Sequence, residues 1–326
     1  MNDYLFGVCH PGRHYRELKD IGINAVRFDV PFPFGDQDGT WTDAFGHHAE
    51  WIREMRSEGF QLVGISPYPR SVPEWSGPIG SDGWYRTLRD ACRALGEIFK
   101  SEIRVWQCSN ELNLADFRTP LDADQALRFL RESADGLKES DASLSVGVNM
   151  GGFNELAISM YRDLYTNAGD RWNYIGTDGY FGTWEPGGPH TWDEKFDLLE
   201  KITPLPIMVM EWGYSSAGEI LKPEQVIPNA TDPHEHEKWC FGWEPPSGSR
   251  KPHPHTPIEQ ARYIEEAMPI IRARTIGEIY YCLNDASRCS CGKLTCPVEA
   301  NWGLLATGGD PKPSYYAMQR SIAACR

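Results

Sequence analysis

No apolar run in this 326-residue chain approaches the roughly 20 residues needed to cross a bilayer, so no membrane-spanning helix is expected. No signal-peptide pattern precedes the first predicted strand, which begins at about Tyr4. The expectation is a cytoplasmic protein, or a secreted one if a leader has been removed. Basic charge is also scarce: 32 Lys and Arg stand against 46 Asp and Glu, a formal net charge of −14, and no Lys/Arg run stands out. The electrostatic footprint for nucleic acid or an anionic membrane is therefore missing, and polyanionic sugars are disfavoured. Nine cysteines, an odd number, exclude a complete disulfide framework. Cys9, Cys108 and Cys282 lie inside apolar strand-like runs where a thiol acts as a small hydrophobe, which points to a reducing compartment. Paired histidines at a strand end, as a catalytic metal would want, reduce to His10 with His14.

Aromatic residues are plentiful. They make up 12% of the chain, with 12 Trp and 14 Tyr, enough to fill a core and still line a cleft on which sugar rings could stack. Hydrophobic residues at 40% and charged residues at 24% are ordinary for a globular protein. Short apolar runs then alternate with helical stretches along the whole chain. Strands are predicted at 4–10, 24–30, 61–66, 105–113, 143–149, 172–180, from 206, and at 276–283. Between them Thr42 or Asp43, Ser81 or Asp82, and Thr256 offer helix N-caps. Eight such pairs predict an α/β chain forming a single (β/α)8 TIM barrel as one domain over 1–326. The pattern breaks in a long Pro-rich insertion at 217–257 after strand seven, expected to be a lid or subsite wall, and in a Cys-rich loop at 286–300 after strand eight.

Two carboxylates stand where such a barrel places its chemistry. The stretch Val105 to Asn113, VWQCSNELN, runs from an apolar strand into Asn110 and Glu111; Pro206 to Ser216, PIMVMEWGYSS, runs into Glu211. Glycosidic bond cleavage needs such a pair, one carboxyl protonating the leaving oxygen while the other attacks or activates water. SNELN at strand four and MEWG at strand seven resemble the large clan of retaining glycoside hydrolases built on (β/α)8 barrels. The closing stretch NWGLLATGGDPKPSYYAM, with its Gly-Asp turn and Lys-Pro before a last helix, resembles the ending common in that clan.

The resemblance implies Glu111 as acid/base, Glu211 as nucleophile, Asn110 as the residue holding the sugar 2-hydroxyl, and Arg27 and Tyr180 as groups that orient Glu211. Asp178 is a second candidate at the strand-six tip. Strand two carries Arg27 and Asp29 inside an apolar run, where burial costs several kcal/mol unless they are paired. Candidate substrate-binding residues are His10, Tyr68, Trp75, Trp184, Trp212, Trp243 and Asn284, all at or beyond predicted strand ends or in the loops that follow. Gly151 and Gly152, after strand five, permit close backbone approach.

Cys289, Cys291 and Cys296 fall within eight residues, and with Cys240 or a histidine of the insertion they could complete a tetrahedral structural zinc site. One disulfide plus a spare thiol, or reduced cysteines, are the alternatives. No cofactor is expected for catalysis. The implied activity is hydrolysis of β-linked neutral oligo- or polysaccharides, gluco-, manno-, xylo- or galacto-configured, with carbohydrate as the partner and no nucleic acid or membrane. The rival readings are a barrel that binds carbohydrate without cleaving it, and an inverting or metal-dependent hydrolase on the same fold.

Overall fold

The computed structural model describes residues 4–166, 169–221, 239–244, 251–289 and 296–325. Among the described residues the main sheet has eight strands: β1 (Leu5–Cys9), β2 (Ala25–Asp29), β3 (Gln61–Ile65), β4 (Ile103–Gln107), β5 (Ser145–Gly147), β6 (Ile175–Gly179), β7 (Ile207–Trp212) and β8 (Gly277–Tyr280). They belong to one eight-stranded sheet, the sheet of a (β/α)8 barrel. The helices α1 (Tyr15–Asp20), α2 (Asp43–Ser57), α3 (Asp82–Ile98), α4 (Ala123–Ser140), α5 (Glu155–Tyr165), α6 (Thr191–Glu200), α7 (Pro257–Arg274) and α8 (Pro313–Ala324) alternate with them. Strands β1 and β7 are buried at every residue, which is why they read as largely continuous apolar runs rather than as alternating ones.

By internal contacts the chain divides into two compact units. The first comprises Met1–Asn24, Gly179–Leu198 and Val209–Arg326; the second comprises Ala25–Asp178 and Leu199–Met208. Within the second unit β2, β3, β4 and β5 pair in parallel, each with the next. Within the first, β8 lies between β1 and β7, parallel to both.

Helix starts follow the expected chemistry. Thr42, Ser81 and Thr256 each accept the backbone N–H three residues on, and Asp122 forms a full capping box with Gln125. Strand four is where expectation and structure part. It begins at Ile103 and ends at Gln107, so Asn110 and Glu111 lie beyond it rather than in it. Gln107 Nε2 donates to Ser109 O at 2.6 Å, which draws that carbonyl off the strand ladder and turns the chain.

Of the long insertion, Glu219–Ile220 pairs with Trp239–Cys240 in a parallel ribbon, and Trp243 bridges His253 in antiparallel fashion. Its backbone is tied to the loop after β6 through Phe241 N–H to Thr183 O and Glu244 N–H to Gly187 O. The described part is therefore tied to that loop by backbone hydrogen bonds.

Candidate active site

The chain beyond β4 is held by amide chemistry. Arg27, 2% exposed on β2, donates from Nε to Gln107 Oε1 at 2.8 Å and from Nη2 to Asn110 Oδ1 at 2.6 Å. Asn110 Oδ1 also receives Gln107 Nε2 at 3.0 Å and Asn149 Nδ2 at 2.7 Å. With its carbonyl oxygen so engaged, the Asn110 amide is fixed in one orientation, its Nδ2 turned to Glu111 Oε2 at 3.4 Å. Asn149, just past β5, ties the group together: Oδ1 accepts from Gln107 Nε2 and from the Glu111 backbone N–H, and Nδ2 donates to Asp178 at 2.5 Å.

Glu111 itself is 8% exposed. A Cβ added at Gly151 would lie 2.4 Å from Glu111 Oε1, so the carboxylate packs directly on backbone that only glycine leaves open. Ser109 and Glu111 have φ of 51° and 49°, and His10 after β1 has 52°, the left-handed region that non-glycine residues seldom occupy. Such backbone persists only where its surroundings hold it, and here the amide network does so at Ser109 and Glu111.

Glu211 is held differently, among rings. Its Oε2 accepts the Tyr180 hydroxyl at 2.5 Å. The Tyr180 ring meets Trp302 edge-on at 4.9 Å and Tyr281 at 6.1 Å, while Trp184 lies 6.3 Å from Trp302 and His10 5.6 Å from Tyr281. The loops bearing these groups meet at His255, 7% exposed and stacked on Tyr214 at 4.2 Å. Its Nδ1 lies 2.9 Å from Ser215 O and its Nε2 3.1 Å from Gly182 O. Burial outweighs these two carbonyls and pushes the His255 pKa down to about 4.

The structure thus groups Arg27, Asn110 and Glu111 in one unit and Tyr180 with Glu211 in the other. Tyr68 is half-buried, donates to Asp29 at 2.8 Å and stacks on Phe117; Trp75 packs edge-on against Phe32. Asn284 is half-buried beyond β8, its carbonyl accepting Cys282 Sγ. Two expected substrate contacts need correction. Trp212, 0% exposed, follows Glu211 in β7 and so points to the opposite side of the strand, where its ring meets Tyr280 at 5.2 Å. Trp243, 1% exposed, stacks on His253 at 3.8 Å and packs against Tyr263. Neither ring is open to a sugar.

Gln107, Asn149 and Trp302 were not singled out from sequence. The first two carry a usable signal: each is a polar side chain in or just beyond an apolar strand, at 0% and 1% exposure.

Cys240 is buried with Val298 and Trp302, its thiol donating to Glu219 O at 3.5 Å; Cys289 and Cys296 are also buried. Cys291 and the insertion histidines His234 and His236 lie outside the described residues. Among the described residues no three potential metal ligands gather, and no helix is long and apolar enough to cross a membrane.

No family model matches the chain. A beta-xylosidase of Caldicellulosiruptor saccharolyticus is 23% identical over 356 residues, taking in 96% of this chain and 66% of that protein. This chain thus spans just under two thirds of that relative's length. Among solved structures, a monomeric beta-xylosidase from Caulobacter crescentus CB15 superposes with a TM-score of 0.67 at 18% identity, covering 98% of this chain and 68% of the other. A family 39 glycoside hydrolase from Bacteroides cellulosilyticus WH2 gives 0.64 at 17%, covering 98% and 63%. These neighbours are glycosidases, and the chain shares their (β/α)8-barrel fold.

Proposed function

We propose that this chain is a retaining β-glycosidase with Glu111 as acid/base and Glu211 as nucleophile. The observation that carries the reading is that both strand-end acids sit in built seats, Glu111 against Asn110 and Gly151, and Glu211 under the Tyr180 hydroxyl. In the first step Glu211 attacks the anomeric carbon while Glu111 delivers its proton to the departing oxygen. In the second, Glu111 takes a proton from water, whose oxygen displaces Glu211 from the sugar. The acid of the first step thereby becomes the base of the second. The Tyr180 hydroxyl donates to Glu211 and aims the carboxylate for attack. The Asn110 amide nitrogen, oriented through its carbonyl, is the donor for the sugar 2-hydroxyl. The named relatives make β-xylosides the first substrates to try.

Release of nitrophenol from aryl β-glycosides should be lost by about a thousandfold or more in Glu111→Ala and in Glu211→Ala. Azide should rescue both, giving a glycosyl azide of inverted configuration from Glu211→Ala and of retained configuration from Glu111→Ala. Losses below about tenfold in both variants would refute the pair. Retaining chemistry also requires the two carboxyl groups about 5–5.5 Å apart, a separation that a crystal structure would measure.

A further inference from the structure

The Lys-Pro motif before the last helix has no part in the chemistry above, yet its lysine is buried. Lys312 Nζ donates to Asp285 Oδ1 at 2.9 Å and Oδ2 at 3.1 Å, to Ser216 Oγ at 2.7 Å, and to Asn301 O at 3.4 Å. The ammonium and carboxylate side chains are only 8% and 7% exposed. One cation thus joins the loop after β7, which leads away from Glu211, to the segment after β8.

What the clamp holds is Trp302. On one side Asn301 O accepts Lys312, the Ser216 backbone N–H and the Ser216 hydroxyl. On the other, the Gly303 N–H donates to Asp285 Oδ1 at 2.7 Å, and a Cβ there would lie 2.1 Å from the Asp285 nitrogen. Both neighbours of Trp302 are therefore fixed by the ion pair or by Ser216. The Trp302 carbonyl is held as well, by Gln260 Nε2 at 3.0 Å. The indole so fixed meets the Tyr180 ring at 4.9 Å, and the Tyr180 hydroxyl reaches Glu211.

We infer that Lys312 and Asp285 are positioning residues: their buried ion pair seats Trp302 behind Tyr180, and Tyr180 in turn holds the nucleophile. This rests on the nucleophile role of Glu211 proposed above. Burial raises the Asp285 pKa and lowers that of Lys312, so each depends on the other to stay charged. Removing one partner would leave an uncompensated buried charge and could unfold the chain. Removing both charges does not, which makes the double variant Lys312→Met/Asp285→Asn the informative one.

Its kcat should fall at least about tenfold with KM within about threefold, because a misplaced nucleophile slows chemistry more than binding. In a Tyr180→Phe background the same double change should cost less than about threefold more, since the route through the hydroxyl is already cut. A full additional loss in that background, or a wild-type kcat, would overturn the inference. A crystal structure of the double variant gives a readout independent of activity. The Tyr180 to Glu211 contact is expected to open beyond about 3.5 Å, and an unchanged contact would overturn the positioning role. If the wild-type protein cleaves no glycoside, the functional reading fails, while the crystal structure still decides the clamp.

Discussion

The two acid-bearing strand ends solve one problem in opposite ways. Around Glu111 the restraint is polar: three nitrogens from Arg27, Gln107 and Asn149 converge on a single amide oxygen. At Glu211 a phenol hydroxyl donates to the carboxylate, and rings pack around the phenol. A buried polar network is fixed by geometry but costly to leave half-satisfied, whereas ring packing degrades gradually. At neutral pH, perturbation should therefore cost stability and activity together at the first end, whereas loss of the phenol contact at the second should cost activity alone.

The sharpest test of that contrast is Arg27→Met. Deleting the guanidinium takes the Arg27 donor from buried Gln107 Oε1 and one of three donors from Asn110 Oδ1, and unfolding in denaturant should show a loss of about 3 kcal/mol together with most activity. A comparable effect, seen only in acid, is expected on the aromatic side. The His255 pKa falls from its ordinary 6.5 to about 4 on burial, so between those values the unfolded chain binds the extra proton. Stability is full above pH 6.5 and is lost as pH drops through that window, by about 3 kcal/mol in total. Melting curves of wild type and His255→Phe across pH 4 to 7 would check it, the variant lacking that slope.

Next comes Gly151→Ala, whose new methyl meets the Glu111 carboxylate; kcat should drop about a hundredfold, as for a displacement of about an ångström. The smallest effect separates the two ends most cleanly. Tyr180→Phe should lower kcat/KM about tenfold, or about 1.4 kcal/mol, with the melting temperature moved by less than about 2 °C. A large loss of stability in that variant would show that the aromatic side is as brittle as the polar one.

How much of this was legible in the sequence follows the same division. The barrel was readable because fully buried parallel strands are written as apolar runs and capped helices announce their starts, as at Thr42, Ser81 and Thr256. Glu111 and Glu211 stood out because nothing apolar explained them. Gln107 and Asn149 carried a signal of the same kind that went unused. The role of Trp302 was not legible, since a tryptophan in a loop after β8 looks like any other until its neighbours are seen. Trp212 and Trp243 went wrong for the same reason: sequence shows that a ring lies near a strand end, and side-chain direction decides which way it faces.

The backbone at Glu111 has a consequence for variants of this chain. With φ at 49°, the residue holds a conformation that glycine adopts freely and that costs other residues on the order of 1 kcal/mol. Glu111→Gly would discard the proposed acid/base and yet should fold about 1 kcal/mol more stably than Glu111→Ala. At this position a change made for durability alone would erase the carboxylate, and with it the reactivity proposed for Glu111.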